Sequence, residues 1–302
     1  MKAIILAAGL GTRLKRLTEN RPKALMPIVN RPIIARNIDY LKSSGVEHIA
    51  VNAHHHFQQI SDYLDKGDPF GIDIEVRVEN VLLGTGGAIK NFSDFWDKEP
   101  FIVINGDILS DISIIKAYKY HLDSGSLATL VLHDCEPFNQ VKLDNNSQVI
   151  DISRQKSSER LAFTGIHILD PGILPYIPGP GYSDIIDCYN MLIRSGASIR
   201  GYVSEKHYWR DVGNPDSYVA ANRDILASEK TPFIMGPYSK TDPSVKFKEW
   251  SVVGERAVIN EGAEIERSIL WDNVSVKQGV RIIDSVITSS KYIDRDFINE
   301  IF

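Results

Sequence analysis

The sequence predicts an α/β protein: a doubly wound, mostly parallel, Rossmann-like sheet followed by a short parallel β-helix. Three observations predict it. Strand and helix patterns alternate over the first two thirds of the chain, which calls for parallel strands joined by crossover helices. A stretch rich in Pro, Gly and Ser, "TPFIMGPYSKTDPSV", breaks that rhythm after Glu229. Beyond it, apolar pairs recur every six residues, the period of a parallel β-helix.

Lys2–Leu6 reads as a buried strand. Residues 32–44 read as a helix, with Pro32 near its first turn and Gly45 just past its end. Residues 48–52 form a second strand and Phe57–Leu64 a helix. Asp73–Val78 alternates polar and apolar, like a half-buried strand. Residues 101–104 are wholly apolar, as in a strand covered on both faces. Residues 112–124 look helical, and 127–133 form another strand. Ile185, Ile186, Met191, Leu192 and Ile193 read as core positions of a helix. The expected domains are 1–230 and 231–302. In the second, the pairs are Ala257/Ile259, Ala263/Ile265, Ile269/Trp271, Val274/Val276 and Val280/Ile282, then Val286, with one five-residue step. Gly254, Gly262 and Gly279 fall at turns. Ordinary β-hairpins are the alternative reading of this stretch.

The 302 residues carry a net charge of −5, so nothing overall favours nucleic acid and an anion site must be built locally. Two distant cysteines, Cys135 and Cys188, suggest neither zinc nor a disulfide framework, and a reducing cytoplasm is expected. No apolar run approaches a membrane span.

Chemistry concentrates in "LAAGLGTRLKRL", residues 6–17. Open α/β sheets bind ligands outside the carboxyl ends of their strands, and Leu6, Ala7 and Ala8 lie at such an end. Gly9 and Gly11 let backbone N–H groups approach a phosphate. Thr12 adds a hydroxyl, and Arg13 a fork suited to phosphate. Six cations and one acid, Glu19, lie between residues 13 and 31. A solvated basic loop on a tight turn is the plain alternative. No P-loop lysine is present, and Leu14 stands where a dinucleotide fingerprint needs glycine. In "INGD", Asp107 ends a buried strand; it is suited either to a hard divalent ion or to capping the next turn. Asp211 sits in "WRDVG", where a salt bridge to Arg210 or a helix cap is the alternative. In "LLGTGGAIK", Gly84, Gly86 and Gly87 leave room for a flat ring and Thr85 can hydrogen-bond it; a flexible turn before a helix near Ala88 is the alternative. The three histidines of "NAHHHF" alternate in direction and are not expected to share a metal.

"LAAGLGTRL" followed by "RPKALMPI" resembles the signature of the sugar-1-phosphate nucleotidyltransferases. The likeness continues through "NGD", "FTGIHIL" and "YWRDVGNP", and a left-handed β-helix after it resembles the guanylyltransferase and glucose-1-phosphate branches. The resemblance implies transfer of a nucleotidyl group from a nucleoside triphosphate to a sugar 1-phosphate, releasing pyrophosphate. It implies Mg²⁺ on Asp107 and Asp211, Arg13 on the departing phosphates, and Lys23 on the α-phosphate. Leu6, Ala7, Ala8, Gly9, Gly11, Thr12, Gly84, Thr85 and Gly86 would bind the nucleotide. Asn139, Lys156 and Gly165 are the sugar-phosphate candidates, although Gln155-Lys156 stands where the family has Glu-Lys. The glycine loop favours GTP with a mannose- or heptose-type sugar phosphate; uridylyl or thymidylyl transfer, or a non-catalytic regulatory subunit, are the alternatives. Membrane and nucleic-acid partners are not expected, and homo-oligomerisation through the β-helix is. Two rivals fare worse. A dehydrogenase lacks its third glycine, and an acyltransferase on the β-helix lacks a histidine after His207.

Overall fold

A computed structural model describes residues 1–65, 70–153 and 159–302. The chain divides into two units. One contains Met1–Leu10 and Ile34–Arg210; the other contains Gly11–Ile33 and Asp211–Phe302.

The first unit is built on a nine-stranded sheet. Asp73–Val78, His48–Ala53, Lys2–Leu6 and Phe101–Asn105 lie side by side and parallel. Ala3, Ile4 and Ile5 are fully buried, as are Ile102, Val103 and Ile104. Their apolar runs are therefore covered on both faces by helices. The rest of the sheet is mixed. Arg160–Leu169 runs antiparallel to Phe101–Asn105, Ala128–His133 and Asn139–Leu143, while Ile199–Val203 is parallel to Ala128–His133. The expected rhythm is interrupted because Asn139–Leu143 and Val149–Ile152 form a hairpin, which the β-α-β pattern does not include.

Helices α1 (Ile33–Ser43), α2 (Phe57–Leu64), α3 (Gly84–Asn91), α4 (Ile114–Ser124) and α5 (Ile185–Arg194) flank these strands in sequence. α1 starts one residue later than expected because Pro32 pairs with Pro27 in a short ribbon. α4 starts at Ile114 because Ser113 caps it, accepting from the Lys116 N–H at 3.4 Å. Ile185 and Leu192 of α5 are buried, but Met191 is exposed. Ile186 and Ile193 are half-buried.

In the second unit, α6 (Pro215–Ser228) opens with a capping box between Asn214 and Ser217. Two sheets of parallel strands follow. Phe233–Met235, Lys246–Val253, Glu264–Leu270, Arg281–Ile283 and Phe297–Ile298 are neighbours in one. Lys240–Thr241, Val258–Ile259, Ser275–Val276 and Tyr292–Ile293 form the other. Paired residues are 18 apart at Phe233↔Ser251 and Lys240↔Val258, and 17 apart at Val258↔Ser275 and Ile269↔Val286. The apolar pairs from Ala257 to Val286 are buried.

The break expected at 230 differs from the division of these units. α6 groups with the C-terminal strands and with residues 11–33. The buried Tyr218 hydroxyl donates to the Pro27 carbonyl at 2.8 Å and accepts from the Trp271 indole N–H at 2.8 Å. Among the described residues, no helix is long and apolar enough to cross a membrane.

Candidate active site

Leu6, Asn52 and Asn105 stand in register at the carboxyl ends of three parallel strands. Asn52 is buried and its amide works in two directions. Its Oδ1 accepts from the Ala7 N–H at 2.7 Å, and its Nδ2 donates to Glu79 Oε1 at 2.7 Å. Glu79 is only 4% exposed, and its Oε2 accepts from the Leu83 N–H at 3.0 Å. A buried carboxylate survives only when hydrogen-bonded, and here the bonds join the start of the glycine loop to residues 82–84. Gly9 faces open space. Its place beside a ligand cleft is thus compatible with close backbone approach.

Residues 84–87 are the first turn of α3 rather than a loop ahead of it. Their glycines have a packing cause. A Cβ would lie 2.6 Å from the Ser183 carbonyl at Gly84, 3.1 Å from it at Gly86, and 2.6 Å from the Gly181 carbonyl at Gly87. The Gly86 and Gly87 N–H groups both donate to Ser183 O. Thr85 is likewise engaged: its hydroxyl donates to Asp184 Oδ1 at 3.2 Å and accepts from the Ile185 N–H at 3.0 Å. Gly86 and Thr85 thus dock α3 against the start of α5.

Gly106 explains the "NGD" turn. Its N–H donates to the Leu6 carbonyl at 2.9 Å, and a Cβ there would stand 2.6 Å from that oxygen. Only glycine lets the turn cross Leu6 so closely, and Asp107 follows it directly. Gly165 (φ 78°) sits at a register shift of its strand, where a Cβ would meet Asn105 Nδ2 at 2.6 Å. It shapes this edge from below. Asn139 does not reach outward: its Oδ1 accepts from the Cys135 N–H at 3.0 Å, and its Nδ2 donates to Asp134 at 2.8 Å and Glu136 at 3.4 Å. These bonds brace the 134–139 loop. Lys156 lies outside the described residues. Of the histidines, His54 contacts the Glu79 carbonyl at 2.7 Å and His56 (φ 53°) opens α2.

The second unit holds the cations. Gly11 (φ 67°, ψ 18°) opens the 3-10 run Thr12–Thr18. A Cβ there would press on Thr18 Cγ2 at 2.9 Å, and the Thr18 hydroxyl donates to the Gly11 carbonyl at 2.9 Å. Thr12 and Arg13, next in line, are exposed. Arg13 meets Asp211 at Gly213: a Cβ on that glycine would lie 2.2 Å from Asp211 Oδ1 and 3.0 Å from Arg13 Nη2. The fork and the carboxylate therefore share one point beside the Gly213 backbone. Lys23 begins the 3-10 turn Lys23–Leu25 after Pro22 and is half-buried. The ribbon behind it is fastened by α6, through Tyr218 to Pro27 and through Asn222, whose Oδ1 accepts from the Val29 N–H at 2.8 Å.

Arg13, Lys23 and Asp211 thus belong to one unit and Asp107 to the other. Among the described residues, no group of three or more His, Cys, Asp or Glu side chains is placed to hold a metal ion. Asp107 and Asp211 are each, by donor type, suited to a hard divalent cation. Such an ion takes one or two carboxylates and completes its shell with water and substrate phosphates. Sequence reading missed Asn52, Glu79, Gly213, Tyr218 and Asn222. Gly213 had a signal, since it stands inside "YWRDVGNP". The others announce themselves only as polar groups that turn out to be buried.

The Nucleotidyl transferase family model matches residues 2–228. The UTP–glucose-1-phosphate uridylyltransferase of Synechocystis sp. is 26% identical, over 98% of this chain and 89% of that protein. The mannose-1-phosphate guanylyltransferase of Mycobacterium tuberculosis is also 26% identical, over 92% and 81%. Among solved structures, HddC from Yersinia pseudotuberculosis complexed with GMP-PN superposes with a TM-score of 0.64. It is 28% identical, over 74% of this chain and 99% of that one. Proteins of this family generally use a divalent metal. With a family match spanning three quarters of its length, the chain belongs to the sugar-1-phosphate nucleotidyltransferases.

Proposed function

We propose that the protein transfers a guanylyl group from GTP to a mannose- or heptose-type sugar 1-phosphate, with Asp107 and Asp211 holding Mg²⁺. The meeting of Arg13 and Asp211 at Gly213 is the observation that carries the reading. It supports the reading because a fork of the kind that suits phosphate lies close to a candidate metal ligand. The sugar-phosphate oxygen is already an anion, so its in-line attack on the α-phosphorus needs no general base. The obstacles are repulsion between two anions and charge on the leaving pyrophosphate. Arg13 holds the β- and γ-phosphates, and Lys23 the α-phosphate and the incoming anion. When bound, the divalent ion neutralises phosphate charge. The nucleoside lies along residues 6–12, braced by Asn52 and Glu79, with the turn at Gly84 beside it. Gly165 and Lys156 serve the sugar end. The solved relative bound to GMP-PN supports the guanine preference.

Uridylyl transfer is the second reading, favoured by the high coverage of the Synechocystis relative. We further propose that the C-terminal sheets are faces of a left-handed β-helix through which copies associate. Offsets of 18 and 17 residues support it, being three six-residue steps with one shortened. Pyrophosphate release, measured for four nucleoside triphosphates against glucose-, mannose-, heptose- and N-acetylhexosamine 1-phosphates with and without Mg²⁺, tests the reading. The strongest signal is expected for GTP with mannose or heptose 1-phosphate. A preference for UTP would overturn the guanylyl assignment, and no release from any pair would overturn transfer altogether.

A further inference from the structure

We propose that a cavity in the second unit, lined by neither Arg13 nor Lys23, binds a phosphate group, free or as the monoester of a small polar molecule. The cavity measures about 460 Å³ and lies between residues 16–21 and the last C-terminal strands. Arg16, Arg21 and Lys291 line it, together with Thr288, Ser289 and Ser290. The Thr288 hydroxyl is already donated to the Phe302 oxygen at 2.8 Å. Three cations and the two serines suit a phosphate dianion, which accepts many charge-assisted hydrogen bonds.

The local charges decide how much of that cationic character is open to a ligand. Arg21 is partly committed: it donates to Ser289 Oγ at 3.2 Å and stands 3.9 Å from Asp272. Glu19 also lines the cavity. Glu300, near Arg16, is held by two hydrogen bonds from Arg295 at 3.0 Å each. Arg16 itself donates to the Ile301 carbonyl at 2.9 Å. Lys291 stands 4.4 Å from the Phe302 ring centroid. A carbonyl and a ring orient these two cations without neutralising them.

The same contacts limit the ligand. The aromatic walls are occupied: Arg21 lies 4.9 Å from the Trp271 ring centroid, and Lys291 covers Phe302. A cation on a ring face takes the place a stacking base would need. What remains to be satisfied is positive charge and hydroxyl groups, so the occupant is anionic and polar, without an aromatic body. It would grip Arg16 and Arg21 on the segment that also carries Arg13.

The site does not depend on the transfer reaction, and its test is direct binding. Inorganic phosphate is titrated calorimetrically into full-length Lys23→Ala protein, which weakens the transfer site's own hold on phosphate. The titration is repeated after adding Lys291→Ala, Arg16→Gln, or the control Lys246→Ala. One phosphate is expected to bind. Lys291→Ala and Arg16→Gln should each weaken it roughly tenfold, the scale of one lost charge-assisted hydrogen bond. Lys246→Ala should leave it unchanged, and melting temperatures check that all variants fold. Tighter binding of glucose 6-phosphate than of phosphate would make the ligand an ester; the reverse would make it phosphate itself. No binding to Lys23→Ala protein, or equal binding with and without Lys291→Ala in variants that fold, would overturn the site.

Discussion

Gly213 is the residue on which the proposed catalytic geometry turns. A methyl group there would collide with Asp211 Oδ1 at 2.2 Å and crowd Arg13 Nη2 at 3.0 Å, so neither charged group could keep its place. Gly213→Ala is expected to lower kcat by roughly a hundredfold, the scale of losing one pre-aimed charge, with little change in melting temperature. Steady-state kinetics beside a thermal melt separate the two effects. Lys23→Ala should cost a similar factor. Asn139→Ala behaves oppositely. Its amide bonds residues of its own loop, whose partners are half-buried or exposed, so the loss is expected in stability, about 0.5–1.5 kcal/mol. A urea titration measures it. Asn139 illustrates a limit of reading residues singly. A polar side chain after a strand is equally suited to hold sugar or to hold its own backbone, and the Asp134 and Cys135 contacts are of the second kind.

Among the elements, α6 fastens the segment that bears Lys23. Tyr218 and Asn222 sit one helical turn apart on its buried face and tie down Pro27 and Val29. Tyr218→Phe leaves the Pro27 carbonyl and the Trp271 N–H without their shared partner. It is expected to destabilise the protein by about 1–3 kcal/mol and to lower kcat, as equilibrium unfolding and turnover together would show. In the sheet unit, burial drives three imidazoles below the ordinary histidine value of 6.5. His121 falls to about 4 and His167 to about 3, while His133 falls to about 4 with help from neighbouring His207. Each is neutral when folded. As pH falls through 6.5, the unfolded chain takes up protons first. Stability present above 6.5 is therefore lost between there and about pH 4, by roughly 1.4 kcal/mol per pH unit for each histidine fully engaged. Urea midpoints at successive pH values would show this slope, and His121→Gln should flatten it by one proton.

At the scale of the molecule, the alternation of strands and helices was legible, because apolar runs such as Phe101–Asn105 report burial directly. So was the six-residue period, which returned as buried pairs from Ala257 onward. The antiparallel hairpin at Asn139–Ile152 was not, since its short strands carry no crossover helix to mark them. Nor was the grouping of residues 11–33 with α6. That depends on hydrogen bonds between residues some 190 positions apart, which no local pattern contains. Arg13, Lys23, Asp107 and Asp211 stand out in the sequence through their motifs. The buried Asn52–Glu79 bridge was missed because its partners come from separate strands. The most direct measurement is formation of pyrophosphate and nucleotide sugar from GTP and mannose or heptose 1-phosphate, in wild-type protein and in Asp211→Asn. Wild-type protein should form both in equal amounts, with the variant slowed about a hundredfold or more. Undiminished turnover by Asp211→Asn would contradict the pairing of Asp211 with Arg13 as the centre of the reaction.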